Sequence, residues 1–167
     1  MLQPIVWKSQ LLFDQRGSFE KVLDANLSEI KKFTVRDIFI TKSVPRVIRG
    51  MHLQVGNYSN NRIINVCSGE VLDILVDLRP DSKQYLQVTS FTLGSQAENN
   101  TIFVPAGIAH GFLTIHEAKV LYLSDKQHHA AFDKGFNPLT FGHDWQIIDP
   151  IMSDRDKALP SLEEFLS

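Results

Sequence analysis

The sequence predicts an all-β fold, a jelly-roll barrel with a few short helices, in one domain spanning residues 1–167. Two features predict it: β-branched and aromatic runs recur along the chain, and glycine or proline punctuates them at short intervals. Helical patterns are scarce, so βαβ units are not expected. With 167 residues, 43% of them hydrophobic, the chain is long enough for one buried core. The mouth of such a barrel lets polar side chains from several strands converge on a small ligand.

Strand-like runs follow one another from residue 31 to residue 125. They comprise residues 31–43, 46–54, 63–66, 71–78, 85–93, 100–107, 111–116 and 119–125. The runs 63–66 and 71–78 are separated by four residues with Gly69 at the bend, which predicts a hairpin. Residues 85–93 alternate between apolar and polar side chains, which is typical of a half-buried strand.

Two short helices are predicted. One covers residues 25–32, and the other closes the chain around Glu163–Phe165. Ser161 precedes the second helix and Glu164 follows three residues later, which is the spacing of a capping box.

Charge and cysteine content exclude several classes of protein. Seventeen Lys and Arg face nineteen Asp and Glu, and a net charge of -2 predicts neither a nucleic-acid partner nor an acidic membrane partner. The only cysteine, Cys67, excludes an internal disulfide and a zinc site with two cysteines of this chain. No signal-peptide pattern and no run of roughly 18 apolar residues is present. We therefore expect a reduced, cytoplasmic protein.

His52 lies in a predicted strand with the sequence Arg-Gly-Met-His-Leu-Gln, residues 49–54. Strand alternation places Met51 and Leu53 on one face and His52 and Gln54 on the other, so His52 is expected to point into the barrel. Arg49 nearby favours an anionic ligand, because an arginine beside an inward histidine is unfavourable without one. The alternative is a hydrogen-bonded structural histidine.

His110 ends the pattern Pro-x-Gly-x-x-His, residues 105–110, which resembles the second motif of the cupin superfamily. In many cupins that histidine binds a metal. The first cupin metal motif has two histidines, whereas this chain has His52 followed by Gln54, and no glutamate lies between His52 and Glu70. We therefore expect no metal site, and interpret His52 and His110 as acid/base or hydrogen-bonding groups.

The adjacent pair His128 and His129 cannot readily serve one site if it lies on a strand, because successive side chains face opposite ways. A solvated loop is the expectation for this pair, and a surface position for His116 and His143. Taken alone, Tyr122 is a core tyrosine, Asp156 is a surface acid, and residues 14–20 form a turn entering a strand.

Six stretches in this order resemble the dTDP-4-dehydrorhamnose 3,5-epimerase family, which are metal-free cupins acting on nucleotide sugars. The stretches are DQRGSFEKV, VIRGMHLQ, SGEVLDILVDLRPDS, VPAGIAHGF, VLYLSD and PIMSDRDKALPSL, from Asp14 to Leu162. The resemblance implies a cupin-type jelly roll, a homodimer with strand exchange between protomers, no cofactor, and a nucleotide-diphosphate sugar as substrate.

The resemblance also implies roles for individual residues. His52 matches the family's general base, Asp156 the acid that orients it, and Tyr122 the general acid. Arg62 stands where the family usually has a lysine that holds the developing enolate. The other positions that match substrate-binding residues are Arg49, Gln54 and His110, and, in the segment that helps to bind the nucleotide, Arg16, Phe19 and Glu20.

Three hypotheses follow from the sequence. The first is an epimerase that removes and returns a proton at C3 of a 4-keto sugar, with C5 left open. The second is a nucleotide-sugar-binding module without turnover, because residues 126–129 lack the tyrosine pair common in the family. The third is a metal-dependent cupin enzyme, which metal analysis of the purified protein would reveal.

Overall fold

A computed structural model describes residues 1–23, 26–28 and 30–167, and these residues form ten strands, two α-helices and three 3-10 turns. The strands are β1 Ile5–Trp7, β2 Gln10–Asp14, β3 Gly17–Lys21, β4 Asp37–Ser43, β5 Ile48–Gln54, β6 Arg62–Asp77, β7 Val88–Gly94, β8 Thr101–Val104, β9 Ile108–Ser124 and β10 Asp133–Gly135. The helices are α1 Asp154–Lys157 and α2 Leu162–Leu166, and the 3-10 turns are Ile30–Lys32, Gly56–Tyr58 and Ala130–Phe132. The predicted all-β class with a few short helices is confirmed.

Within the described residues, one sheet contains eight strands, in the order β1-β8-β6-β9-β5-β10, with β4 added beside β9 and β7 beside β6. Strands β6 and β9 pair antiparallel over almost their whole length, from Arg62 opposite Ser124 to Asp77 opposite Ile108. A separate hairpin joins β2 to β3. The long β6–β9 ladder therefore carries the other strands and fixes the positions of the side chains that point between them.

The predicted hairpin at residues 67–70 is wrong, because 62–77 is one continuous strand. The backbone bends there without turning back: the register against β9 shifts between Val66 and Val71. Gly69 makes the bend possible, since its φ is +77° and a Cβ atom would lie 2.0 Å from the carbonyl oxygen of Glu117. The runs 111–116 and 119–125 likewise belong to one strand, β9.

The predicted C-terminal helix is confirmed, and the helix predicted at residues 25–32 is confirmed only in part. Ser161 caps α2 through a complete capping box with Glu164. Of the helix predicted at 25–32, the structure shows only a 3-10 turn at Ile30–Lys32, and Ala25 and Glu29 lie outside the described residues.

Two apolar clusters include side chains of strands β5, β6, β8 and β9. Ile64, Ile102, Phe112 and Tyr122 belong to the first cluster, and Met51, Leu53, Phe136 and Trp145 to the second. Full burial of an aliphatic or phenylalanine side chain stabilises a fold by about 1.5–3 kcal/mol, so these clusters hold the surrounding strands rigidly.

Candidate active site

A cavity of about 340 Å³ opens between β4, β5, β9, β10 and α1. Seven of the ten residues predicted from the sequence lie in its wall: Arg49, His52, Gln54, Arg62, His110, Tyr122 and Asp156. A small ligand in this cavity would therefore meet imidazole, phenol and guanidinium groups at once.

His52 and Asp156 form a hydrogen-bonded pair in the cavity wall, although 104 residues separate them in sequence. The Nε2 atom of His52 lies 2.8 Å from Oδ1 of Asp156, and the backbone N–H of Gly50 donates to Oδ2 at 3.4 Å. Burial opposes ionisation of Asp156, but the hydrogen bonds from His52 and Gly50 outweigh it, so the pKa of this carboxyl lies below its usual value. The carboxylate holds Nε2 as the protonated nitrogen, which leaves Nδ1 to accept a substrate proton.

The backbone of β5 departs from strict alternation just before His52. The register between β5 and β9 shifts between Arg49 and His52, so both side chains reach the cavity while Met51 and Leu53 enter the core. Gly50 permits this, because its φ is +115° and a Cβ atom there would lie 2.5 Å from Cα of Gly111. The predicted inward direction of His52 and Gln54 is confirmed.

Tyr122 is buried in the wall of the cavity on β9. Its ring stacks on Phe39 of the neighbouring strand β4, with ring centroids 4.5 Å apart. Burial, and then the charge of Asp73, raise the pKa of Tyr122 above its ordinary value. The phenol therefore keeps its proton at neutral pH and can donate it.

Arg62 brings a buried positive charge to the cavity from the start of β6. Its Nη2 donates to the carbonyl oxygen of Ile108 at 2.9 Å and its Nη1 to that of His52 at 3.4 Å. Burial lowers the pKa of Arg62, and the charges of Tyr122, Asp73 and Asp133 oppose this shift. A guanidinium keeps its proton even when buried, so the group remains a fixed cation. Its Nε is buried without a hydrogen-bond partner in the part of the chain that the structure describes.

His110 forms a second imidazole–carboxylate pair, with Nε2 2.7 Å from Oδ2 of Asp73. Sequence reasoning missed Asp73. The signal that could have found it is its place in the apolar run Val-Leu-Asp-Ile-Leu-Val, because a charge inside a buried strand needs a partner.

Arg49 and Gln54 differ in how much of their hydrogen-bonding capacity the protein already uses. Nε of Arg49 donates to Oγ of Ser43 at 2.8 Å, and its exposed Nη2 donates to the carbonyl oxygen of Lys42 at the longer distance of 3.4 Å. Gln54 is buried, and its Oε1 accepts from the backbone N–H of His129 at 2.7 Å. Gln54 therefore fixes the loop after β9, in addition to lining the cavity.

Arg16, Phe19 and Glu20 do not line the cavity of their own chain. All three lie on the β2–β3 hairpin or its turn, where Phe19 is 63% exposed. The carboxylate of Glu20 accepts hydrogen bonds from Ser9 and from Nδ2 of Asn100, at 2.9 Å for Asn100. In this chain Glu20 thus anchors the hairpin to the barrel.

The loop expected at His128 and His129 is confirmed, because neither residue lies in a strand or helix and the His128 side chain is 55% exposed. The loop does not face solvent alone. His128 lines the cavity, with Nε2 3.1 Å from Oδ2 of Asp133, and the ring of His129 packs on Tyr58 and Phe132. The two side chains do serve different surroundings, as alternation predicted. Arg155 of α1 also lines the cavity and was missed, because a charged residue beside Asp156 resembles an ordinary surface helix position.

Across residues 1–23, 26–28 and 30–167, no group of three or more His, Cys, Asp or Glu side chains is placed to hold a metal ion. No described helix is long and apolar enough to cross a membrane.

Comparison with known proteins identifies the family. A family model described as dTDP-4-dehydrorhamnose 3,5-epimerase matches residues 3–164. The dTDP-4-dehydrorhamnose 3,5-epimerase of Methanothermobacter thermautotrophicus is 30% identical over 168 residues, which cover 96% of this chain and 90% of that protein. The chain belongs to the dTDP-4-dehydrorhamnose 3,5-epimerase family. Epimerases are isomerases, so the predicted enzyme class is confirmed.

Solved structures of the same family share the fold. The dTDP-4-dehydrorhamnose 3,5-epimerase from Bacillus anthracis, with TDP and PPi bound, has a TM-score of 0.86 and 28% identity, covering 95% of this chain and 94% of its own. The epimerase from Mycobacterium tuberculosis has a TM-score of 0.87 and 29% identity, covering 96% of this chain and 84% of its own. The predicted cupin-type jelly roll is thereby confirmed.

Proposed function

We propose that this protein epimerises a nucleotide-diphospho-4-keto-6-deoxy sugar, of the dTDP-4-dehydrorhamnose type, at C3 and then at C5, through an enolate. The single observation that carries this proposal is the His52–Asp156 hydrogen bond of 2.8 Å in a cavity that Tyr122 and Arg62 also line. The membership of the family supports the substrate class. We propose that residues 1–167 act as one domain.

The first step is proton removal by His52. The 4-keto group acidifies the hydrogen on C3, because the carbanion formed there is stabilised as an enolate. Nδ1 of His52 takes the C3 proton while Nε2–H stays bonded to the Asp156 carboxylate. The resulting imidazolium is stabilised by that carboxylate, so Asp156 lowers the barrier without taking the proton itself.

The negative charge that appears on the keto oxygen needs a fixed cation. Arg62 supplies it, since its guanidinium is buried in the cavity wall and tied by two backbone carbonyls. A cation in a buried site stabilises the enolate more than the neutral ketone, which is the condition for acceleration. Arg62 also lines the cavity, so its charge lies beside a ligand bound there.

The last step returns a proton to the opposite face of C3. Tyr122 is the proposed donor, because its raised pKa keeps the phenol protonated until the carbanion forms. Delivery from the face opposite His52 inverts the carbon, and the enolate collapses to the ketone. Atoms balance: one proton leaves the sugar for His52 and one arrives from Tyr122, and solvent restores both groups.

The test is NMR of candidate 4-keto nucleotide sugars incubated with the protein in deuterium oxide. Inversion with deuterium at both C3 and C5 supports the proposal as stated. Deuterium at C3 alone would replace it with a mono-epimerase, and no incorporation with any substrate would replace it with a binding module. Residues 126–129 lack the tyrosine pair common in the family, so deuterium at C5 is the result that tests the second inversion.

We also propose that the protein is a homodimer in which Arg16, Phe19 and Glu20 contact the nucleotide in the partner's cavity. Two apolar surfaces support this: Phe13 and Phe19 of the hairpin are 75% and 63% exposed, and Ile38 and Ile40 protrude from β4. Exposed apolar patches of this kind mark protein interfaces. The expected mass by light scattering is twice 19.0 kDa, and a monomer at micromolar concentration would contradict it.

Phe19→Ala tests the nucleotide contact separately from the dimer. We expect KM for the nucleotide sugar to rise about tenfold with the dimer mass unchanged, since a stacked base contributes about 1–3 kcal/mol. Unchanged KM would contradict the contact.

We further propose the cytoplasm as the location, because a lone Cys67 suits a reducing compartment.

A further inference from the structure

A third imidazole–carboxylate pair lies in the cavity wall, and the mechanism above does not use it. Oδ2 of Asp133 accepts from Nη2 of Arg155 at 2.7 Å and lies 3.1 Å from Nε2 of His128. All three side chains line the cavity, and the Asp133 side chain is largely buried. One carboxylate oxygen therefore joins two cavity groups that belong to different segments of the chain.

Arg155 is the residue before Asp156, and both lie on the four-residue helix α1. So short a helix has little stability of its own, and contacts with the barrel must fix its position. Some of these contacts are local: Ser153 caps the helix through Asp156 N, and Nδ2 of Asn137 donates to the carbonyl oxygen of Lys157 at 3.1 Å. The Arg155–Asp133 ion pair adds a side-chain tie to a strand.

That strand, β10, is paired with the strand that carries the base. Gly135 lies opposite His52 in the β10–β5 register, and Asp133 lies opposite Gln54. Two ties therefore run from α1 to the β5–β10 pair, one from Asp156 to His52 and one from Arg155 to Asp133. Arg155 and Asp156 are consecutive residues of one short helix, and each is bonded to a different one of two paired strands. Loss of one contact is therefore expected to move the helix and weaken the other contact.

We propose that Arg155 and Asp133 are positioning residues, whose ion pair fixes α1 and thereby holds the Asp156 carboxylate against His52. This inference rests on the proposed function in one respect, that His52 is the base. His128 connects the Arg155–Asp133 ion pair to β4. Its side chain contacts Asp133, and its backbone N–H donates to Oδ2 of Asp37 at 3.1 Å. The cluster thus links the rim of the cavity to the helix that orients the base.

The effect is expected in catalysis more than in stability. Arg155 is half exposed, and ion pairs at such positions contribute little to the free energy of unfolding. Catalytic geometry is far more sensitive, since a misplacement of about 1 Å can lower a rate about 100-fold.

The first experiment compares Arg155→Ala, Arg155→Lys and Asp133→Asn in the deuterium-exchange assay. We expect Arg155→Ala and Asp133→Asn to lower kcat about tenfold or more with KM within about threefold, and Arg155→Lys to restore most of the rate. The matched control is Glu117→Gln, which removes the exposed Lys42–Glu117 ion pair of 3.0 Å outside the cavity and leaves both constants unchanged. A rise in KM with kcat unchanged would overturn the proposal, because Arg155 would then be a substrate contact.

The second experiment asks whether the effect passes through Asp156. In the Asp156→Asn background, Arg155→Ala should lower the residual kcat less than about twofold, since coupled residues are not additive. Equal effects in both backgrounds would overturn the proposal.

A third measurement needs no substrate. We expect the ring nitrogen signals of His52 in Arg155→Ala to move toward their positions in Asp156→Asn, and Glu117→Gln to leave them in place. Unchanged His52 signals would overturn the positioning role. If no sugar undergoes exchange with the unaltered protein, the proposed function fails, whereas this NMR comparison still decides whether Arg155 positions Asp156.

Discussion

Two of the three imidazole–carboxylate pairs at the cavity, His52–Asp156 and His110–Asp73, differ in burial and in how their carboxylates are held. His52 and Asp156 are 2.8 Å apart, and the His52 side chain is 26% exposed. His110 and Asp73 are 2.7 Å apart, and the His110 side chain is only 5% exposed. Asp156 comes from a short helix at the rim, whereas Asp73 lies in the middle of β6.

The difference teaches how one pair of residue types can serve two purposes. An imidazole open to the cavity can take a proton from a ligand, while a buried pair sets the charges around it. Burial raises the pKa of Tyr122 most, and the charge of Asp73 adds to that rise. Burial lowers the pKa of Arg62, and the charges of Tyr122, Asp73 and Asp133 oppose that change. The buried His110–Asp73 pair therefore contributes to the electrostatics around the proposed acid and cation, whereas the His52–Asp156 pair is open to the cavity and is the proposed site of proton transfer.

The largest expected effect is that of His52→Asn. Asparagine fills similar space but cannot take a proton, so exchange of the C3 hydrogen with deuterium oxide should fall by about 10³-fold or more. The measurement is NMR of the sugar, with circular dichroism to check the fold. Undiminished exchange in a folded variant would show that His52 is not the base. The proposed difference in role between the His52–Asp156 and His110–Asp73 pairs would then fail.

The next effect separates the proton donor from the base. Tyr122→Phe keeps the ring stacked on Phe39 and removes only the hydroxyl. Inversion at C3 should fall about 10²- to 10³-fold, while deuterium still enters C3 with retained configuration, because the His52–Asp156 pair is intact. The measurement is the ratio of labelled substrate to labelled epimer. Equal losses of exchange and inversion would show that Tyr122 does not act separately from the base.

The third prediction concerns stability. Here the variant of the buried His110–Asp73 pair is expected to have a larger effect than the variant of the His52–Asp156 pair. His110→Ala leaves the Asp73 carboxylate buried without its partner, which should lower the free energy of unfolding by about 3 kcal/mol. His52→Ala exposes its carboxylate to the cavity and should cost about 1 kcal/mol. Urea denaturation measures both. Adding Asp73→Asn to His110→Ala should recover part of the loss, and no recovery would show that the lost energy comes from packing.

The sequence was sufficient for the fold class and for the residues that one strand presents. Alternation along residues 51–54 placed His52 and Gln54 on the cavity side and Met51 in the core, because a two-residue period depends only on the backbone. The register shift that also turns Arg49 toward the cavity was not predicted. Local spacing also predicted the Ser161–Glu164 capping box. The resemblance to the family added Tyr122, Arg62 and Asp156.

What remained hidden depends on contacts between distant segments. The bend at Gly69 looks like a hairpin until β9 is known to pair with both halves of β6. Arg155 and Asp133 are ordinary charged residues in sequence, and their meaning comes from α1 packing beside β5. His128 lies in the predicted loop, but its place at the cavity depends on its hydrogen bonds to Asp133 and Asp37, which are distant contacts.

The smallest effect tests the carboxylate of the open pair. The pKa of Asp156 lies below its usual value, so its ionised form is favoured by folding. Such a group contributes stability above the pKa of the unfolded chain, about 3.9, and loses it as the pH falls through the lower folded value. Asp156→Asn should therefore lower the free energy of unfolding by about 1–2 kcal/mol near pH 6.

The difference between the unaltered protein and Asp156→Asn should then shrink toward zero as the pH falls below about 4. Urea denaturation at several pH values measures it, and Glu117→Gln serves as a control whose exposed carboxylate should show little difference at any pH. A difference that stays constant from pH 6 to pH 3 would show that Asp156 holds His52 equally well without its charge. Asp156 would then stabilise the fold through the hydrogen bond and packing of its side chain and not through its charge.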